Sequence, residues 1–345
     1  MIKYVILAIN SFDYILSKTG NMLVRYQNKA VVAIVDPNNE NKTAEEVLGW
    51  GGQIPVVRDV QNSLQYKPTH LVIGNAPQGG ILDDINRKEI IFGMKNRLNI
   101  ISGMHYFLSE DKEIQKLSKK YMIELKDLRK PRKNLSFSKQ LWKKRKLPIM
   151  LIVGTDCDTG KMTTAWEITK ALKSRNKKVG FLGTGQTGIL LAGNGVPVDS
   201  IISDFIPGEI EHAIKKFNFD LELLIIEGQG ALNNALYSGV TLGLLHGSMP
   251  DFLIMTHEPT RKYDVAGNKI PPLPNLIKLH YDLLEPFKKS KFLGVNLLTL
   301  KMSKSEAIST FKNLESKLKL PVNDMVRFSD SNIIDKICKE LEMWN

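Results

Sequence analysis

The chain has 345 residues, of which 43% are hydrophobic and 24% charged, and its formal net charge is +12 at pH 7. That length and balance fit a globular protein of two domains, large enough to bury sizeable cores without disulfide or metal staples. Two cysteines, Cys157 and Cys338, exclude a disulfide framework and point to a reducing, cytoplasmic setting.

The first apolar run, 4–9 (YVILAI), is too short for the apolar core of a signal peptide and reads as a buried strand. Runs 30–35, 70–73 and 99–101 read the same way, and residues 84–95 show helical spacing through Ile85, Ile90, Ile91 and Met94. Strands alternating with helices predict a parallel, doubly wound, Rossmann-like sheet. The first strand is followed by Asn10-Ser11-Phe12-Asp13 rather than G-x-G-x-x-G, which argues against a nicotinamide cofactor held by the usual glycine turn. Residues 36–41 read as a surface loop.

Residues 129–146 (RKPRKNLSFSKQLWKKRK) hold nine Lys/Arg and no acid. This segment reads as a solvated basic linker with a second reading, attraction of a polyanionic ligand. It lacks the aromatic interleaving of a nucleic-acid site. The predicted organisation is a first domain over 1–126, a linker over 127–147 and a second α/β domain over 148–345. No membrane span is expected: the longest uncharged run, 228–250, is broken by five glycines.

The second domain opens with a buried strand at 149–153, and strands are predicted again at 178–182, 223–226, 252–255 and 292–295. Helices are expected after residue 161, over 304–318 and over 333–341. Strand, glycine loop, lysine, helix is the arrangement that turns backbone N–H groups onto an anion. Here the loop is Gly154, Thr155, Asp156, Cys157, Asp158, Thr159 and Gly160, followed by Lys161. It is one residue longer than G-x4-G-K-[ST] and resembles the loop of dethiobiotin synthetase.

Met162 stands where that motif has the hydroxyl that holds Mg²⁺, and a thioether is a soft, weak ligand for a hard cation. Thr163 and Thr164 follow at other angles around the helix. The loop therefore suits a bound phosphate handle better than metal-assisted transfer of a γ-phosphoryl group. Cys157 reads as a small loop residue or, less favourably, a nucleophile.

Ligands of open α/β sheets bind at the carboxyl ends of strands. The loops there are Gly183–Gly188 with Gln186 and Thr187, the stretch around Asp204 and Glu209, Glu227-Gly228-Gln229-Gly230, 237–248 and 256–261. They gather Glu227, His246, His257, Glu258 and Arg261 as the predicted active-site set. No histidine or cysteine spacing suggests a metal centre.

Long stretches, GTDCDTGKMTTAWE (154–167), GTGQTGILLAG (183–193) and EGQGALNNALYSGVTLGLLHGSMPD (227–251), together with IGNAPQGG (73–80), ISGMHYFL (101–108) and DLRKP (127–131), resemble the D-glutamate N-acetyltransferase (DgcN-type) family, long grouped as a domain of unknown function. The resemblance spans essentially the whole chain. It departs from the family pattern at Asn233-Asn234 and at Thr260.

The resemblance implies a Rossmann-like domain followed by a P-loop domain. It implies acetyl transfer from acetyl-CoA to the amine of D-glutamate, with residues 154–164, Gln186 and Thr187 holding the co-substrate. Glu227, His246 and Glu258 become base candidates, and Arg261 and His257 substrate contacts. Small molecules are the expected partners, with no nucleic acid or membrane, and a homo-oligomer the expected assembly. The competing readings are an ATP- and Mg²⁺-dependent ligase or kinase using Lys161, Asp204 and Glu227, and a nucleotide-responsive binding protein.

Overall fold

The computed structural model describes residues 2–14, 16–75, 81–217, 220–328 and 332–344. The chain divides into two compact units, 1–131 with 189–193 and 132–188 with 194–345.

In the first unit the apolar runs become β1 (Tyr4–Leu7), β2 (Val31–Val35), β3 (Val56–Val57), β4 (His70–Ile73), β5 (Asn99–Ser102) and β6 (Leu125–Asp127). Helices α1 (Lys18–Tyr26), α2 (Ala44–Leu48), α3 (Val60–Ser63), α4 (Asp84–Lys95) and α5 (Lys112–Tyr121) alternate with them. All pairings are parallel, in the order β3-β2-β1-β4-β5-β6. That is the doubly wound order of dinucleotide-binding domains.

Its core contains Val5, Leu7, Ala33, Val35, Leu71, Ile73 and Ile100 from the strands and Ile90 and Met94 from α4. Each large aliphatic removed from water contributes about 1.5–3 kcal/mol. The residues expected to be a plain surface loop after β2 begin with a buried Asp36. Its carboxylate accepts from Asn10 N at 2.9 Å, Asn38 N at 3.3 Å and Asn39 Nδ2 at 2.8 Å. The motif stretch 73–80 lies outside the described residues from 76 to 80.

The second unit contains β7 (Ile149–Gly154), α6 (Lys161–Ser174), β8 (Val179–Leu182), the start of α7 (Gln186–Ala192, whose residues from Ile189 fall in the first unit), α8 (Ile206–Ile214) and β9 (Leu223–Ile226). It continues through α9 (Ser238–Ser248), β10 (Phe252–His257), α10 (Leu273–Leu284), β11 (Lys291–Leu297), α11 (Lys304–Leu318), β12 (Val322–Asn323) and α12 (Asn332–Glu342). The sheet is again wholly parallel, ordered β12-β11-β10-β7-β9-β8. The loop after β7 is thus flanked by the loops after β9 and β10, the crevice where open sheets bind ligands.

Two predicted loops are helices. Residues 206–214 and 238–248 form α8 and α9, packed on each other. Glycine inside a helix costs about 0.5–1 kcal/mol, which hides α9 from a propensity reading. Here a Cβ on Gly247 would meet Pro207 Cα at 2.7 Å and one on Gly243 would meet Ile206 Cγ2 at 3.0 Å, so these glycines let the two helices approach.

The basic segment expected as a solvated linker is fastened down. β6 carries the first sheet through Asp127, whose carboxylate accepts from Leu108 N and Ser109 N. From Arg132 onward the chain is strapped to α8. Buried Glu209 accepts from Arg132 Nε at 2.6 Å and Ser136 N at 2.9 Å, and buried Glu211 accepts from Lys139 N at 2.7 Å and Leu141 N at 3.0 Å. Arg145 donates to the Ser248 and Met249 carbonyls at 2.8 and 2.7 Å. Glu209, expected near the ligand loops, is an anchor of this strap. Among the described residues no helix is long and apolar enough to cross a membrane.

Candidate active site at the carboxyl ends of the second sheet

The loop from β7 to α6 turns through Asp158 at φ 58° and Gly160 at φ 85°, left-handed conformations that suit aspartate and glycine. Gly160 caps α6 with no side chain, so the N–H groups of the helix's first turn, which have no partner within the helix, point into the loop. The hub is Asp156, fully buried. Its carboxylate accepts from Asn234 Nδ2 at 2.8 Å, Val265 N at 2.9 Å and Arg261 Nη1 at 3.0 Å.

Asn233 Nδ2 holds the Thr155 carbonyl at 2.9 Å, so both asparagines at the family departure brace this loop. The Thr159 hydroxyl donates to the Asp156 carbonyl at 3.0 Å and lies 2.8 Å from the Thr256 hydroxyl. Lys161 Nζ donates to the same carbonyl at 2.6 Å, and burial depresses its pKa against the pull of Cys157, Asp158, Asp156 and Glu227. Cys157 is half-buried, and its carbonyl takes a 2.7 Å bond from Arg261 Nη1.

Met162 and Thr163 are partly exposed at the start of α6. Thr164 is not part of the loop mouth: it is buried and accepts from Asn296 Nδ2 at 2.8 Å. Its hydroxyl ties α6 to β11.

On the β9 side lies Glu227, 3% exposed. Its Oε2 accepts from Thr184 N at 2.8 Å and Gly185 N at 3.1 Å, and its own carbonyl accepts from the Thr184 hydroxyl at 2.7 Å. Burial raises the carboxyl's pKa to about 7. The two N–H groups and Lys161 oppose the rise, and Asp199 adds to it. That value suits a general base at neutral pH.

Sequence reading passed over a signal here. Gly183, Gly185 and Gly188 have the G-x-G-x-x-G spacing, after a strand and opening a helix. A Cβ on Gly188 would sit 2.1 Å from Glu227 Oε2, and one on Gly185 2.4 Å from Gln229 Nε2. These two glycines make room for an acid and an amide. Gln186 and Thr187 begin α7 directly after Gly185.

On the β10 side, His257 Nδ1 lies 3.0 Å from the Thr155 hydroxyl. Burial lowers its pKa to about 4, leaving a neutral ring at pH 7 that cannot serve as a cationic clamp. Arg261 is also spoken for. It donates from Nε to Glu258 Oε2 at 2.8 Å, pairs through Nη2 with the same oxygen at 2.6 Å, and reaches Asp156 and Cys157 through Nη1. These contacts make Arg261 a brace between the β7 and β10 loops.

Lys301 Nζ pairs with the other Glu258 oxygen at 2.8 Å. Burial pushes Glu258 up, but the Lys301 and Arg261 contacts outweigh it and leave the pKa lowered, which favours the ionised, ion-paired carboxylate.

His246 lies in the last turn of α9, which runs back from the end of β9 to the start of β10. Its Nε2 is 3.2 Å from the Leu283 carbonyl and its ring packs edge-on against Phe287, at the end of the sheet away from the loops. Asp204 is exposed in a short turn before α8. The structure thus gathers the phosphate-type loop, Glu227, His257, Glu258 and Arg261, and leaves His246 and Glu209 out.

Comparison with known proteins gives the same two-part division. The model described as "Domain of unknown function (DUF1611_N) Rossmann-like domain" matches residues 37–131, and "Domain of unknown function (DUF1611_C) P-loop domain" matches 137–334. A solved DUF1611 family protein from Anabaena variabilis superposes with a TM-score of 0.93 at 30% identity, covering 98% of this chain and 100% of that one. Curated relatives from Tritonibacter scottomollicae and a Pseudoalteromonas species are each named D-glutamate N-acetyltransferase. Each is 34% identical over 270 residues, 77% of this chain and 80% of the relative.

Proposed function

Because this chain belongs to the DUF1611 family and is an acyltransferase, we propose that it moves an acetyl group from acetyl-CoA to the amine of D-glutamate, with Glu227 as the base. The observation that carries this reading is the Glu227 carboxyl, buried beside the phosphate-type loop with its pKa raised to about 7.

An ammonium group is not a nucleophile. Glu227, ionised above pH 7, accepts a proton from it, and the freed amine attacks the thioester carbonyl. The C–N bond forms, the C–S bond breaks, and the proton that the acylated nitrogen gives up goes to the departing thiolate, which leaves as free CoA. General base catalysis of this kind contributes about 10²–10⁴-fold.

The loop fits a diphosphate. It offers the first-turn N–H groups of α6 and the Lys161 ammonium, which would exchange its bond to the Asp156 carbonyl for a phosphate oxygen. With Met162 at the metal-hydroxyl position and the Thr164 hydroxyl held by Asn296, the loop is better matched to phosphate anchoring than to a magnesium nucleotide.

The test is release of free thiol from acetyl-CoA by the purified full chain, without added metal, against a panel of D- and L-amino acids. The reading expects turnover with D-glutamate above the rest. Formation of ADP from ATP with these amino acids, and no thiol release, would replace it with the ligase or kinase reading.

A further inference from the structure

Glu227 and Gln229 follow the end of β9 two positions apart, the spacing that puts side chains of an extended chain on one face. The two side chains share one patch of backbone. A Cβ on Gly185 would meet Gln229 Nε2 at 2.4 Å and Glu227 Oε1 at 3.6 Å, so the carboxamide and the free end of the carboxylate flank the same glycine.

Glu227 is held by Oε2 alone, through Thr184 N and Gly185 N. The backbone of Gln229 is fixed by the Thr241 hydroxyl, which donates to its carbonyl at 2.7 Å, yet its side-chain amide makes no hydrogen bond with a described residue. A half-buried amide with two N–H donors is thus fixed at its root and unspent at its tip, beside the base.

The cation that acts on this base, Lys161, donates to the Asp156 carbonyl and is assigned to phosphate in the reading above. Of the other cation candidates, Arg261 braces Asp156 and Glu258, and His257 is neutral at pH 7. An α-amino acid carries its carboxylate one carbon from its amine. When the amine sits on Glu227, the α-carboxylate must lie within a short reach of it, where the Gln229 amide is.

We propose that Gln229 is a substrate-binding residue that donates its side-chain N–H groups to the α-carboxylate of the amino acid whose amine is deprotonated by Glu227. It selects α-amino acids over simple amines. This inference rests on the acetyl-transfer reading above and adds the residue that reads the substrate's backbone end.

The experiment compares kcat/KM for three amines in the wild-type chain, Gln229→Ala and Gln229→Glu. The amines are D-glutamate, 4-aminobutyrate (which lacks the α-carboxylate) and D-2-aminobutyrate (which lacks the distal one). Gln229→Ala is expected to raise KM for D-glutamate about 10–100-fold, the size of a lost hydrogen bond to a charged group. The preference for D-glutamate over 4-aminobutyrate should fall by the same factor, and that over D-2-aminobutyrate should hold.

Gln229→Glu, which sets a second carboxylate against the first, should lose more. These preferences are ratios within one preparation, so a partly unfolded variant does not mimic the result. An unchanged preference over 4-aminobutyrate, or a fall only in the preference over D-2-aminobutyrate, overturns the assignment. A wild-type chain that acetylates none of the three overturns the acetyl-transfer reading, and this inference with it.

Discussion

At the end of β2 in the first sheet, the Asp36 carboxylate is buried and accepts from two backbone N–H groups and an asparagine amide. At the end of β9 in the second sheet, the Glu227 carboxylate is equally buried, yet the described residues bond only one of its oxygens. Among the described residues both sheets are six-stranded and wholly parallel. The fold supplies a rim of loops in each unit, and what separates them is how far the buried acid is satisfied by its own protein. A fully bonded carboxylate organises loops, whereas one left with an unspent oxygen in a desolvated place is available to take a proton.

Neutralising the second acid should separate the two carboxylates most strongly. Glu227→Gln keeps the shape and removes the base, and kcat is expected to fall about 10²–10⁴-fold in steady-state assays. Stability should move the other way. The folded-state pKa of Glu227 is raised from 4.5 to about 7, so folding binds a proton between those values and the wild-type chain loses stability as pH rises through them. Above pH 7 the variant should therefore melt no lower than wild type in calorimetry.

A smaller loss is expected from Lys161→Ala. CoA affinity should weaken by about 1.5–3 kcal/mol in titration calorimetry, the contribution of a hydrogen bond to a charged group, with the D-glutamate KM less affected. Arg261→Lys should lower the melting temperature by several degrees and raise both substrates' KM values together. A lysine cannot bridge Asp156, Glu258 and the Cys157 carbonyl at once. A rise confined to the amino-acid KM would restore Arg261 as a substrate clamp. The smallest effect on turnover belongs to Asp36→Asn, expected to lower the melting temperature while keeping kcat within about 3-fold.

The alternation of strands and helices, the phosphate-type loop and the position of Glu227 were legible because each leaves a local mark: apolar runs of strand length, a glycine-lysine pattern, an acid directly after a strand. The three short edge strands, β3, β6 and β12, leave too few apolar residues for that. α9 is masked by the glycines that let it pack on α8.

Sequence position alone also misplaces a residue. His246 follows β9 in a stretch expected to be a loop, but once that stretch is a helix its last turn belongs to the opposite end of the sheet. Arg261 and Glu258 do lie at a strand end, and only their distances reveal that they satisfy each other. The grouping of Gln229 with Glu227 over Gly185 needs the β8 and β9 loops brought side by side, a long-range pairing that no local pattern carries.

If Glu227 is a base that titrates near neutrality, the pH dependence of kcat/KM for D-glutamate must show it. The wild-type chain is expected to gain activity as pH rises, with a midpoint near 7, because the ionised form is the one that accepts the proton. In Glu227→Gln that limb should vanish and leave a low, flat residual rate. A wild-type profile flat from pH 5 to 8, or the same midpoint retained in Glu227→Gln, would contradict the account and move the base elsewhere.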